Sequence, residues 1–143
     1  MKTMLATSGP EISNSFSGLH HLTNCLVTTF HSKATSNNNH FINEIPDQLH
    51  LATDRQLLAT VLSGLLSAVV TYAKGSCIRL SAKVYGNVVL VQVKESTSLN
   101  NNAFESEVYK LQPLAEKMRG CVFVTSQRQK LTTITFGFPN LPL

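Results

Sequence analysis

Four side chains able to ligate a metal or carry a proton fall close together: His20, His21, Cys25 and His31. Cys25 follows His21 by four residues, so on a helix the thiol and the imidazole share one face, a chelating spacing for a soft divalent ion. The same residues also read as solvated or packed side chains, and on sequence grounds no metal site is expected. Cys77 and Cys121 lie far from Cys25 and from each other, no CxxC pair exists, and the count of three is odd. Reduced thiols in a cytoplasmic protein are therefore expected rather than a disulfide framework. Neither a G-x-S-x-G elbow nor a Cys–His signature marks a nucleophile.

Twelve basic against eight acidic residues give a net charge of +4. The basic residues are scattered, and the strands lack the paired exposed aromatics that stack bases, so no nucleic-acid partner is expected. A chain of 143 residues, 43% apolar and 14% charged, suits one packed domain. That domain is expected over residues 15–143, after a polar, flexible N-terminus at 1–14. The start MKTMLATSGPEISNSFSG has one Lys and no apolar run, so no signal peptide is expected.

The stretch LLATVLSGLLSAVVTYA, Leu57 to Ala73, has no charge. It is short of the roughly 20 residues of a membrane span. Thr53-Asp54 before it and Gly75 after it are start and stop signals for a helix of a folded domain. At about 100° per residue, Thr60, Ser63, Gly64, Ser67 and Thr71 form a narrow stripe, and Leu58, Val61, Leu62, Leu65, Val69 and Tyr72 cover most of the remainder. A buried helix is expected, whose small polar stripe packs, lines a pocket or receives a strand, with no membrane contact.

The remaining elements follow from periodicity. Leu19, Leu22, Leu26, Val27 and Phe30 predict a helix from about Phe16 to Ser36, ended by Asn37-Asn38-Asn39. HFINEIP predicts a short strand. CIRLSAKVYG alternates, with Ile78, Leu80, Ala82 and Val84 opposite Arg79, Ser81 and Lys83, and Gly86-Asn87 turns the chain into the strand NVVLVQVKE. AFESEVYKLQPLAEKMRG predicts a helix that kinks or restarts near Gln112 because of Pro113. CVFVTSQRQ and LTTITFGFPN predict a last hairpin. The order α-β-α-β-β-α-β-β implies an α+β, two-layer sandwich: a mixed, mostly antiparallel sheet with helices on one face and a wet face carrying Arg79, Lys83, Gln92 and Lys94.

This order resembles the ATP-binding domain of sensor histidine kinases, in the gyrase–chaperone–histidine kinase–mismatch-repair superfamily with the Bergerat fold. The resemblance runs from about Leu19 to Pro139. It is carried by IPDQLHLATDRQLLATVLSGLLSAVVTYAKGSCIRLSAK, by VVLVQVKES and by LAEKMRGCVFVTSQRQKLTTITFGFP: a turn with Asp before a long helix, a tyrosine near that helix's end, a hairpin, a helix ending in Gly, and a final hairpin closing with F-x-F-P.

In that family the long helix reads N-L-L-x-N-A-x-K-Y and one asparagine oxygen holds Mg²⁺. Here it reads Gly64-Leu65-Leu66-Ser67-Ala68-Val69-Val70-Thr71-Tyr72. The magnesium ligand falls on Ala68, which has no oxygen to give, and the lysine falls on Thr71. Tyr72 remains, as a ligand contact or as core packing. The D-x-G-x-G motif, whose Asp accepts from adenine, falls on Glu95, with Thr97 and Leu99 for the glycines. Glu95 reads as that acceptor or as a solvated strand end. Where a G-x-G should cradle phosphate at the next helix stand Glu105 and Glu107, and the loop STSLNNNAF is too short for an ATP lid. Of G-x-G-T, only Thr133 fits, and β-propensity alone also explains it.

The resemblance thus implies the fold, with ATP and Mg²⁺ binding lost and no cofactor. It also implies a protein-binding or regulatory role in a bacterial two-component pathway, through a vestigial pocket at Ser67, Ala68, Thr71, Tyr72, Glu95, Glu105 and Thr133. A homodimer is plausible through the apolar first helix. The alternatives are a divergent ATP-binding domain, a magnesium-free small-molecule sensor, and a phosphotransfer protein using His20 or His21.

Overall fold

The computed structural model describes residues 18–97, 99, 102–127 and 131–142; the expected flexible segment 1–14 lies outside them. The elements in chain order are helix α1 (Leu19–Ser36), strand β1 (His40–Asn43), helix α2 (Arg55–Tyr72), strands β2 (Cys77–Tyr85) and β3 (Val88–Glu95), helices α3 (Asn102–Tyr109) and α4 (Gln112–Lys117), and strands β4 (Cys121–Gln127) and β5 (Leu131–Pro139).

The five strands form one sheet in the order β1-β2-β3-β5-β4. β1 runs parallel to β2, and every other pairing is antiparallel. This is the mixed, mostly antiparallel α+β sandwich that the element order predicts. The sheet's inner face presents Leu80, Val91, Val93, Ile134, Phe136 and Phe138 to the core. α2 supplies the opposing layer, burying Leu58, Val61, Leu62, Leu65, Leu66, Val69 and Val70. α2 is also the one helix among the described residues long and apolar enough to cross a membrane by length and composition. Its apolar side chains are spent inside this core instead.

Local chemistry fixes the element ends. Asp54 caps α2, its Oδ1 accepting from the backbone N–H groups of Gln56 and Leu57. α1 stops where Asn38 turns left-handed at φ 60°. Asn37 then donates to the Val70 carbonyl and Asn39 to the Ala73 carbonyl, tying the end of α1 to the end of α2. The two-residue β2–β3 turn places Gly86 at φ 58°, a conformation that glycine reaches without Cβ strain. Pro113 sits at the start of α4, where a missing N–H costs no helical bond, so the chain restarts as a second short helix. Gly120 lets β4 begin against β5: a Cβ there would meet the Gly137 carbonyl oxygen at 2.3 Å.

The outer sheet face is wet at Arg79, Lys83 and Lys94, while Gln92 is half-buried. Near the β2–β3 turn the same face is apolar, with Tyr85 and Val88 exposed, and Phe123 is exposed on the same face at β4, which alternation alone does not foretell.

Candidate functional site

The small-residue stripe of α2 does not face a strand. It lines a half-open cavity of about 320 Å³ between α2 and the α3–α4 unit, formed by Gly64, Ser67, Ala68, Thr71 and Tyr72 on one side and Glu107, Lys110 and Leu111 on the other. Three of these contacts set its shape. The Tyr72 ring meets the buried Phe104 ring edge-on, with centroids 5.9 Å apart. Leu111, at the α3–α4 junction, sits over Gly64: a Cβ at residue 64 would lie 2.6 Å from a Leu111 methyl. Glu107 and Lys110 pair at 3.0 Å across one turn of α3.

The polar capacity of this cavity is small. Thr71 Oγ1 donates to the Ser67 carbonyl at 2.7 Å, so its hydroxyl hydrogen is committed to its own helix. Ala68 offers a methyl group. The hydroxyls of Ser67 and Tyr72 remain, beside one carboxylate already paired with one ammonium. Magnesium with a polyphosphate needs a set of hard oxygen ligands for the metal and several N–H donors or cations for the phosphates. The residues on this cavity do not fit that group. Glu107 lines the cavity; Glu105, half-buried on the same helix, is not among the lining residues.

Glu95 lies at the other part of the site and is 1% exposed. It closes β3 on the inner face, paired in register with Ile78 and Thr132. Its Oε1 accepts from the Thr97 backbone N–H at 2.6 Å and from the Thr97 hydroxyl. Its Oε2 is buried with no partner among the described residues. Thr132, also buried, accepts from the Leu99 N–H at 2.5 Å and lies 3.4 Å from the Ser126 hydroxyl. Thr133 pairs instead with Lys94 and Thr125, so it faces the opposite side of the sheet from Glu95. The structure thus gathers Ser67, Ala68, Thr71 and Tyr72 at one cavity, places Glu95 in the inner layer, and turns Thr133 away.

Thr132 and Leu111 are the residues that sequence reading passes over, and it takes Thr97 only as a replaced glycine, not as a donor to Glu95. Two adjacent threonines give no hint of which one opposes Glu95, because that register is set by pairing with β3. Pro113 signals the helix restart but not that Leu111 lands on Gly64.

Of the α1 histidines, His20 is engaged in structure. His20 Nδ1 lies 2.6 Å from the Ile45 carbonyl oxygen, which requires the proton on Nδ1. Its Nε2 faces Asn24 at 3.1 Å and Asp47 at 3.3 Å. Both ring nitrogens therefore hold α1 to the β1–α2 connection. Among the described residues no group of three or more His, Cys, Asp or Glu could hold a metal ion together.

No protein-family model matches the sequence, and no curated protein matches it. The fold, however, is similar to solved structures. The histidine kinase AdeS of Acinetobacter baumannii superposes with a TM-score of 0.73 at 9% identity, over 83% of this chain and 63% of that one. This chain thus spans less than two thirds of AdeS. The nucleotide-free catalytic domain of histidine kinase ThkA gives 0.72 at 17% identity, over 88% of this chain and 96% of that one. ThkA is also matched in a complex with the response regulator protein TrrA. A histidine kinase from Burkholderia phymatum gives 0.72 at 16% identity, over 87% and 69%. The chain has the fold of histidine kinase catalytic domains.

Proposed function

We propose that this chain is a histidine-kinase-type ATPase fold that neither binds magnesium nucleotide nor transfers phosphate. On this reading it acts in the cytoplasm as a protein-binding regulator in a bacterial two-component pathway. One observation carries it: the face of α2 that borders the cavity offers Gly64, Ala68 and a self-bonded Thr71, and Leu111 is seated on Gly64. With so little polar capacity left at the cavity, surface recognition is the use this reading assigns to the fold. The complex of ThkA with a response regulator supports partners of that kind for this fold.

Calorimetric titration with ATP and ADP, with and without Mg²⁺, tests the reading. No heat and no thermal stabilisation at millimolar nucleotide is expected. Micromolar, magnesium-dependent binding would overturn it.

One observation favours a second reading. Glu95 is buried with an oxygen that has no partner among the described residues, a group that a ligand with N–H donors would satisfy. A small-molecule sensor without magnesium would use it. Metal-free binding of adenosine that disappears in Glu95→Gln would select this reading over the first.

A further inference from the structure

The outer face of the sheet, on the side away from α2, takes no part in the cavity, and it changes character along its strands. Far from the β2–β3 turn its cross-strand row is Arg79, Lys94, Thr133 and Thr125, polar throughout. At the turn the row is Tyr85, Val88 and Pro139. The next row runs Lys83, Leu90, Gly137 and Cys121. An open groove of about 290 Å³ lies across these two rows, bordered by Val88, Leu90, Pro139, Cys121 and Arg119. Gly137 is its floor: a Cβ there would lie 2.8 Å from a Leu90 methyl, so glycine keeps the recess open. Tyr85 and Val88 stand exposed at this end of the face. Apolar surface gathered into one rimmed patch marks an interaction site, whereas single exposed apolar residues do not.

Charge says what covers the patch. Strands β2, β3, β4 and β5 contain one acidic residue, Glu95, and it is buried on the inner face. From these strands the outer face therefore draws cations and no carboxylate. Arg79 is paired with Glu44 of the β1–α2 connection. Lys83 and Arg119 flank the groove from the β2 and β4 sides, exposed and with no ion pair among the described residues. A second copy would bring the same cations against these, and like charges in contact repel. A bilayer is entered by protruding side chains and leaves a recess unfilled. A partner segment with carboxylates around one apolar side chain suits both features: the side chain fills the groove over Gly137, and the carboxylates face Lys83 and Arg119.

We propose that the outer sheet face at the β2–β3 turn is a docking surface for an acidic segment of a partner protein, anchored by one apolar side chain in the groove over Gly137. This rests on the protein-binding reading above, and gives it a surface and a partner chemistry.

The test titrates the full chain, isotope-labelled, with synthetic peptides in which Asp and Glu flank a single Phe or Leu, and with the same peptides carrying Lys instead, followed by amide NMR shifts. Binding of the acidic set alone is expected, weakened by salt, with the shifts gathered at Val88, Leu90, Gly137 and Cys121. Val88→Ser and Lys83→Glu should each weaken it by about tenfold, with a thermal melt to show that each variant is folded. Lys74→Glu, the same charge change beyond the opposite end of β2, should weaken it far less. The proposal is overturned if neither set binds at millimolar peptide, if both bind alike, or if the shifts fall on the α2 cavity. It is equally overturned if vesicles of anionic phospholipid, and not the peptides, shift this face. Nucleotide separates the two readings. Magnesium-dependent ATP binding would end the inactive-fold reading and leave peptide docking measurable, whereas absent peptide binding with no nucleotide heat would end the docking surface alone.

Discussion

Asp54 carries the start of α2 on one carboxylate oxygen, which accepts two of the N–H groups that a helix end leaves open. Asp54→Ala should cost about 1 kcal/mol, read as a lower urea midpoint at unchanged m-value. A loss well under half of that would mean that water replaces the cap. Glu95 poses the opposite case. Inside the core, its Oε1 accepts two hydrogen bonds and its Oε2 none among the described residues. Glu95→Gln keeps an acceptor for Thr97 and removes an unpartnered carboxylate oxygen, so stability should hold or rise by about 1 kcal/mol. Thr132→Val should instead lose about 1–2 kcal/mol, because it strips the Leu99 N–H of its acceptor. Thr133→Val, at the solvent-side neighbour, should change little. If the two threonines respond alike, the assigned register between β3 and β5 fails.

At the scale of elements, β4 is an edge strand with no charged residue in Cys121–Gln127, the kind of edge that invites pairing with another chain. Two of its N–H groups are met from the helices: Val122 donates to Gln112 Oε1 at 2.8 Å and Val124 to the Tyr109 hydroxyl at 3.1 Å. The α3–α4 unit therefore covers the edge as well as bordering the cavity. Tyr109→Phe with Gln112→Leu should uncover both groups, cost about 1–3 kcal/mol, and raise light scattering at high protein concentration. Unchanged scattering would show that the strand is protected by something else. This double role is invisible in the sequence, whereas the elements themselves are legible. Alternation in CIRLSAKVYG and VVLVQVKE, the cap at Asp54 and the break at Pro113 are local signals, and each appears where its physics places it. The Asn37–Asn39 cluster reads only as a helix stop, yet Asn37 and Asn39 also bridge to α2 across more than thirty residues. Contacts of that kind, like Leu111 on Gly64 or Glu95 beside Thr132, arise from packing, which periodicity does not encode.

For the whole molecule, the layers differ in what holds them. The sheet and α2 share one apolar core, and Asn140 ties the end of β5 to the α2 entry by accepting from Ala52 and Thr53 and donating to the His50 carbonyl. α3 and α4 are only eight and six residues long, far below the length at which a helix stands alone in water. Their order comes from burying Phe104, Val108, Ala115 and Met118 against the core and from the Phe104–Tyr72 ring contact. They should therefore be the first part to open. Phe104→Ala removes the largest of these anchors and should cost about 3–5 kcal/mol. In native-state hydrogen exchange, the amides of α3 and α4, with Val122 and Val124 whose bonds they supply, should lose protection first. Amides of β2, β3 and β5 should keep theirs until global unfolding. A uniform loss across the sheet would mean that the unit borders the cavity as a rigid wall. A local loss would mean that the cavity between α2 and α3 changes shape at a free-energy cost below that of unfolding, within reach of a binding partner.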